Sequence, residues 1–176
     1  MDFERIDSEE IWQGHIGGVR VDTIRYADGG ESKREVFTHP GAVTILPFDG
    51  ARIWLVRQPR EPVGEPDLLE LPAGKIDKPG EELGELALRE LQEEIGKGAR
   101  SVRHLVTFYN SPGILTEEHH LFLATDLYDS SLDSGEDERI EIETLHVADL
   151  DAAIPRIKDA KTLIGLLWFR AYLQDA

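Results

Sequence analysis

Alternation of apolar and polar positions dominates the first third of the chain and predicts strands through most of residues 9–60. Ile11-Trp12-Gln13-Gly14-His15 and Val19-Arg20-Val21-Asp22-Thr23-Ile24-Arg25-Tyr26 alternate in part, and Ala27-Asp28-Gly29-Gly30 has turn chemistry. Residues 34–39 form another strand candidate, punctuated by Pro40-Gly41. Ala42-Val43-Thr44-Ile45-Leu46-Pro47 and Ile53-Trp54-Leu55-Val56-Arg57-Gln58 flank Asp49-Gly50, which reads as a hairpin turn. A short apolar piece at 68–74 precedes a change of period. Over 81–95, Ala87, Leu88, Leu91 and Ile95 recur at helical spacing, and Gly96 and Gly98 supply a stop. Strands are expected at 102–108, 120–124 and 140–147, and helices at 148–158 and 161–173. The last helix carries Leu163, Leu166, Leu167 and Ala171 on one face, for packing or a subunit contact. No internal repeat and no linker divides the chain. Many strands with few helices predict an α+β domain, with helices packed on a mostly antiparallel or mixed sheet.

Length and composition narrow the function classes. A chain of 176 residues with 40% hydrophobic content fits one core, with at most a short extension. Its apolar runs fall short of the roughly 20 residues a membrane span needs. Met1-Asp2-Phe3-Glu4-Arg5 lacks the basic-then-apolar opening of a signal peptide. There is no cysteine, which excludes disulfides, thiolate catalysis and cysteine-ligated metal, and suits a cytoplasmic protein. The net charge of −16 repels nucleic-acid backbones and anionic membranes. A phosphate-bearing substrate is repelled as well, unless metal ions on carboxylates and a few placed arginines intervene.

The 81–95 helix holds the carboxylates for such a role. Glu90 and Glu94 are four apart and share a face bordered by Leu83, Leu86 and Ala87. Like charges at this spacing destabilise an isolated helix by about 0.2–0.5 kcal/mol. Holding them against apolar surface costs more. A hard divalent cation relieves both costs, because Mg²⁺ takes oxygen ligands and keeps waters and substrate phosphates in its shell. Alone, the pair is equally what an ordinary solvated acidic helix carries.

The surroundings of the pair decide between these readings. Gly74-Lys75-Ile76-Asp77-Lys78-Pro79-Gly80-Glu81 leads into the helix, and Arg89-Glu90-Leu91-Gln92-Glu93-Glu94-Ile95-Gly96 follows. Together they resemble the Nudix box, G-x5-E-x7-R-E-U-x-E-E-x-G-U with U aliphatic. Two positions depart from it. Six residues instead of five stand between Gly74 and Glu81, and Lys97 occupies the final aliphatic position. The resemblance implies that Glu90 and Glu94 are the principal metal ligands, with Glu93 an additional or water-mediated one. It implies that Glu81 fixes the loop or touches metal through water, and that Arg89 orients the glutamates by ion pairing.

Further similarities, over most of residues 35–170, point to the ADP-ribose pyrophosphatase branch. They are Pro40-Gly41, Arg57-Gln58-Pro59-Arg60, Leu69-Glu70-Leu71-Pro72-Ala73-Gly74, Ser111-Pro112-Gly113 with its spacing from the box, and Asp159-Ala160-Lys161-Thr162. In that branch the Ala73 carbonyl is a further metal ligand and Arg60 contacts the substrate diphosphate, with Arg57 as a companion. Pro112 and Gly113 shape the substrate side, and Glu117 lies near the terminal ribose. A glutamate from Ser134-Gly135-Glu136-Asp137-Glu138-Arg139 deprotonates water or joins the metal shell, with Glu136 and Glu138 both eligible. Trp12, Tyr26 and Phe37 are candidates for stacking adenine. His119 and His120 are adjacent on a strand and so face opposite ways, which argues against one shared ion.

The resemblance thus implies a Nudix fold, a mixed sheet sandwiched between helices, as residues 39–176. An N-terminal antiparallel strand region, 1–38, serves the dimer and the adenine side. The implied activity is Mg²⁺-dependent hydrolysis of ADP-ribose or a related nucleoside diphosphate sugar, with Mn²⁺ a possible substitute, in a homodimer. GDP-mannose or NADH as substrate, and a non-catalytic nucleotide sensor, are the alternative readings.

Overall fold

The computed structural model describes residues 2–78, 80–132 and 139–174. Two compact units emerge: Met1–Gly41 with Phe108–Glu118, and Ala42–Thr107 with His119–Ala176. The first therefore reaches slightly past the expected boundary at 38 and also takes in the Ser111-Pro112-Gly113 turn.

In the first unit, β1 (Phe3–Gln13), β2 (Gly18–Tyr26) and β3 (Glu31–Thr38) make an antiparallel meander. The predicted strand at 11–15 is the end of a much longer β1. Only Ile6 in β1 is even half-buried, so its first residues carry no alternation to read. The β1–β2 pair is fixed instead by polar groups. Buried Asp22 accepts from Ser8 Oγ at 2.7 Å and from Arg20 Nε at 3.0 Å. The 111–116 segment joins β3 through Phe37 N–H to the Ile114 carbonyl (2.7 Å) and Thr116 N–H to the Phe37 carbonyl (3.0 Å).

The second unit holds two sheets. In the four-stranded one, β4 (Ala42–Pro47) lies between β7 (Ala73–Lys75), antiparallel, and β9 (Glu118–Asp129), parallel, with β8 (Lys97–Tyr109) beyond β9. In the other, β5 (Arg52–Arg60) pairs antiparallel with both β6 (Glu65–Glu70) and β10 (Glu141–His146). The pleat sorts the apolar side chains of β4 and β9 to two faces. Val43, Ile45, Phe122 and Ala124 pack with Leu86, Ala87, Leu91 and Ile95 of α1 (Leu83–Ile95). Leu46, Leu71 and Leu121 meet Gly165 of α3 (Ala160–Gln174). The mixed sheet is thus flanked by a helix on each face, as expected of the α+β architecture. No helix among the described residues is long and apolar enough to cross a membrane.

Three local expectations change. The Asp49-Gly50 turn forms, with Asp49 accepting from the Ala51 and Arg52 N–H groups and from Trp54 Nε1. It does not make a hairpin of β4 and β5, because only Phe48 and Ile53 bridge before the strands enter different sheets. The helix expected at 148–158 breaks into a 3₁₀ turn at Val147–Asp149, a single α turn, α2 (Leu150–Ala153), and another 3₁₀ turn at Ile154–Arg156. Pro155 lacks the N–H that a continuing helix needs. The acidic helix begins at Leu83, so Glu81 belongs to the preceding loop. It ends as the sequence predicts, with Gly96 left-handed at φ 66° and its N–H on the Leu91 carbonyl.

Candidate active site

The loop after β7 and the polar side of α1 bring the expected carboxylates together around one guanidinium. Arg89 donates from Nε to Glu81 Oε1 (3.1 Å), from Nη2 to Glu81 Oε2 (3.3 Å) and from Nη1 to Glu93 Oε2 (3.0 Å). Its Nη1 also lies 3.0 Å from Glu90 Oε1, and Asp77 Oδ1 is 3.7 Å from Nη2. The hydrogen bonds that Arg89 donates to Glu81, then the neighbouring carboxylates, raise the Arg89 pKa above its ordinary value. In return the Arg89 guanidinium holds the Glu81 carboxyl below the usual range.

Glu94 is anchored separately, accepting the Ala73 N–H at 3.3 Å. Gly74 lies beside it, against the end of the Glu90 side chain, which any larger residue would push aside. A β carbon there would sit 2.0 Å from Glu90 Cδ and 2.3 Å from Oε1. The missing side chain is the cradle of the Glu90 carboxylate, and β7 thereby presents Ala73 and Gly74 to Glu94 and Glu90. The hard oxygen donors Glu90, Glu93, Glu94 and the Ala73 carbonyl suit a divalent cation. Among the described residues no three carboxylate or imidazole groups yet converge on one point; Glu81, Glu90 and Glu93 are turned to Arg89 instead. Gly74→Ala is expected to weaken Mn²⁺ binding about 10- to 100-fold by displacing Glu90. Titration calorimetry reads this directly, and native affinity would remove Glu90 from the ligand set.

The two arginines of β5 part company. Arg60 forms a fork with Glu70, Nε to Oε1 at 2.6 Å and Nη2 to Oε2 at 2.7 Å. Its pKa is raised by that hydrogen bond first, with Glu94 and Asp159 adding to the field. The fork engages Nε and Nη2 of a side chain that is 42% exposed and within electrostatic reach of Glu94. Arg57 sits on the opposite face of the strand from Val56, which packs with α1. There it pairs with Glu143 and Asp67 and lines a cavity of about 490 Å³ with Leu69, Leu145, Ala153 and Arg156. Arg57 and Arg60, expected as companions, thus pair with different carboxylates, on a strand whose register shifts between Gln58 and Arg60.

Pro112, Gly113 and Glu117 belong to the first unit. Ser111 accepts from Ile114 and Leu115 N–H (3.1 and 2.9 Å), closing the turn over Pro112-Gly113. Glu117 Oε2 accepts from Asn110 Nδ2 at 3.0 Å, and Oε1 lies 3.4 Å from His39 Nδ1. Of the three aromatics, Tyr26 lines a cavity of about 540 Å³ with Phe3, Arg34, Val36 and the 112–116 turn, and its hydroxyl accepts from Arg34. Trp12 lies over Gly14 and the Phe37 ring over Gly17. His119 is buried against Thr44 Oγ1 (3.0 Å), while His120 meets Thr107 (3.1 Å). The two imidazoles therefore have separate partners. Glu136 and Glu138 lie outside the described residues.

Sequence reasoning missed Glu70 and Lys161. Glu70 is 1% exposed, carries the Arg60 fork, and is contacted by Lys161 Nζ, which is 3.1 Å from Asp159 Oδ2. A glutamate inside an apolar run, Leu68-Leu69-Glu70-Leu71, was the available signal. Lys97, at the aliphatic position of the box, is also explained. Its ammonium lies 4.5 Å from the Trp54 ring centre and pairs with Asp129, so the stem packs as an aliphatic residue would.

Comparison with known proteins agrees with this geometry. The NUDIX domain family matches residues 38–164. An ADP-ribose pyrophosphatase of Bacillus subtilis (strain 168) is 35% identical over 97% of this chain and 94% of its own length. A methanol dehydrogenase activator of Bacillus methanolicus is 36% identical over 97% and 93%. Among solved structures, an ADP compounds hydrolase superposes with a TM-score of 0.88 at 25% identity, covering 99% of this chain and 96% of that one.

Proposed function

This chain belongs to the NUDIX domain family, and on that premise we propose that it hydrolyses the diphosphate of ADP-ribose to AMP and ribose 5-phosphate. The observation that carries the proposal is the pair of seatings beside β7: Glu94 on the Ala73 N–H and Glu90 in the cradle of Gly74. A solvated acidic helix has no reason to aim two carboxylates at one stretch of backbone and exclude a methyl group there.

Glu90 and Glu94 hold the metal, Mg²⁺ by preference, with the Ala73 carbonyl and Glu93 completing the protein's share. Bound there, a divalent ion neutralises phosphate oxygens and acidifies a water. Arg89 keeps the glutamates aligned through the contacts described above. Arg60 offers its guanidinium to a diphosphate oxygen while Glu70 fixes its plane. Glu117 and the Pro112-Gly113 turn serve the substrate, and Glu136 or Glu138 accepts the proton of the attacking water. We further assign the protein to the cytoplasm and to a homodimer, with residues 1–38 as the strand region of the dimer and of the adenine side, and 39–176 as the hydrolase domain.

A substrate panel tests the assignment. Initial rates with Mg²⁺ are expected to be at least about tenfold higher for ADP-ribose than for GDP-mannose or NADH, a margin of about 1.4 kcal/mol in transition-state binding. ADP-ribose turning over no faster than GDP-mannose would sink it.

A further inference from the structure

We propose that Thr162, held by Asp159 at the start of α3, is a positioning residue for the metal-facing backbone of Leu71-Pro72-Ala73. The inference rests on the metal site proposed at Glu90, Glu94 and Ala73, and concerns Thr162 and Asp159, which touch neither metal nor substrate in that reading.

The direction of one proton carries the argument. Asp159 Oδ2 accepts both the Thr162 N–H (3.0 Å) and the Thr162 hydroxyl (2.6 Å). A hydroxyl has a single proton. Once it is committed to Asp159, Thr162 Oγ1 can face Leu71 only as an acceptor. It does so, receiving the Leu71 N–H at 2.7 Å across 91 residues of sequence. Thr162 is fully buried, so no water competes for this bond.

The three residues that follow are pinned in turn. Leu71 is tied to α3 through its N–H. The Pro72 carbonyl accepts the Ile45 N–H of β4 at 2.8 Å, and Pro72 has no N–H of its own to satisfy. The Ala73 N–H goes to Glu94 Oε2 at 3.3 Å. A helix thus holds the Glu70–Leu71 peptide unit, and a strand and a carboxylate hold the two ends of the Pro72–Ala73 unit. The next residue is Gly74, whose backbone passes under Glu90. A shift at Leu71 therefore reaches both principal carboxylates within three residues. Asp159 also serves a second branch: Lys161 Nζ bridges it to Glu70, which orients Arg60. The start of α3 sets the metal-facing backbone on one side and the phosphate-facing arginine on the other.

Thr162→Val keeps the shape of the side chain and removes the acceptor. Outer groups that orient metal ligands typically cost about 10- to 100-fold in affinity or activity when removed. Mn²⁺ is the probe, titrated by calorimetry into the full chain without substrate. Thr162→Val is expected to raise the dissociation constant at least about tenfold, and Thr162→Ser, which keeps the hydroxyl, to restore it to within about twofold. A buried residue elsewhere on α3, Phe169, provides the control. Phe169→Leu should lower the melting temperature while leaving Mn²⁺ affinity within about twofold of native, as a contribution to stability alone would. Should Thr162→Val fail to fold, Asp159→Asn answers the same question. Its amide oxygen still accepts the helix N–H, but the side chain then holds the hydroxyl proton less firmly, and a fall in affinity of the same sign is expected.

Glu94→Gln separates the two levels of the claim. Mn²⁺ binding lost in Glu94→Gln but native in Thr162→Val overturns the positioning role and leaves the metal site standing. Mn²⁺ binding untouched by Glu94→Gln overturns the site, and the positioning role with it.

Discussion

Glu94→Gln is expected to lower kcat for ADP-ribose by on the order of 10³-fold while leaving the melting temperature nearly unchanged. The first half follows from charge. A metal-ligating carboxylate contributes several kcal/mol of transition-state stabilisation, and each 1.36 kcal/mol is about tenfold in rate. Glutamine keeps an oxygen but loses the anion that binds the ion. The second half follows from geometry. The Ala73 N–H is satisfied at 3.3 Å by Glu94 Oε2, and an amide oxygen still accepts that long bond. Fold and site are therefore separable at this position, and thermal melting beside steady-state rates reads both. Hydrolysis surviving at near-native rate would place the metal elsewhere.

Glu70→Gln should fall on stability. Glu70 is 1% exposed and faces two cations, Arg60 and Lys161. Removing one partner of a buried ion pair costs about 3–5 kcal/mol. Arg60 is 42% exposed, so water screens it once released. Lys161 is 7% exposed and bears most of the penalty, which places the loss toward the lower end, about 3 kcal/mol. Urea unfolding at neutral pH measures it.

The same residue fixes a pH dependence. Burial opposes ionisation of Glu70, but the Arg60 hydrogen bonds, then Lys161, outweigh it and hold the carboxyl below the usual range. A depressed pKa gives stability that is present above the unfolded value, about 4.3, and is lost as pH falls through the lower folded value. The stability gap between wild type and Glu70→Gln should stay constant from pH 8 to about 5 and narrow below about 4. An equal gap at pH 7 and pH 3 would show that Glu70 is not ionised in the fold.

Most of the fold was readable where one face of an element is wet and the other dry. The acidic helix is such a case. Leu91 and Ile95 are buried, Glu90 and Glu94 border them, and Gly96 marks the end as predicted. β1 was mostly invisible for the opposite reason, since it is exposed on nearly every residue and no period is imposed on it. The Asp49-Gly50 turn was legible but the fate of its strands was not. Turn chemistry is local, whereas entry into separate sheets depends on β6, β9 and β10. The site divides the same way. Glu81, Arg89, Glu90, Glu93 and Glu94 lie within one short stretch, and their spacing is the signal. The network around Glu70 joins Arg60, Asp159, Lys161 and Thr162 across up to 91 residues, and although each segment stands out along the chain, no local spacing shows that they meet. Arg57 misled because Arg57 and Arg60 are close in sequence, while they pair with different carboxylates on a strand whose register shifts between them.

The clasp of Arg89 on the loop has a consequence for the entropy of the site. Asp77 and Glu81 lie in the loop and Arg89 lies on the helix, joined by contacts of 3.1 to 3.7 Å. Closing a flexible segment costs conformational freedom. Here that freedom is surrendered when the chain folds, well before any ligand arrives. A ligand reaching Glu90 and Glu94 meets a loop already tied to the helix, so little of its binding free energy is consumed in ordering the loop.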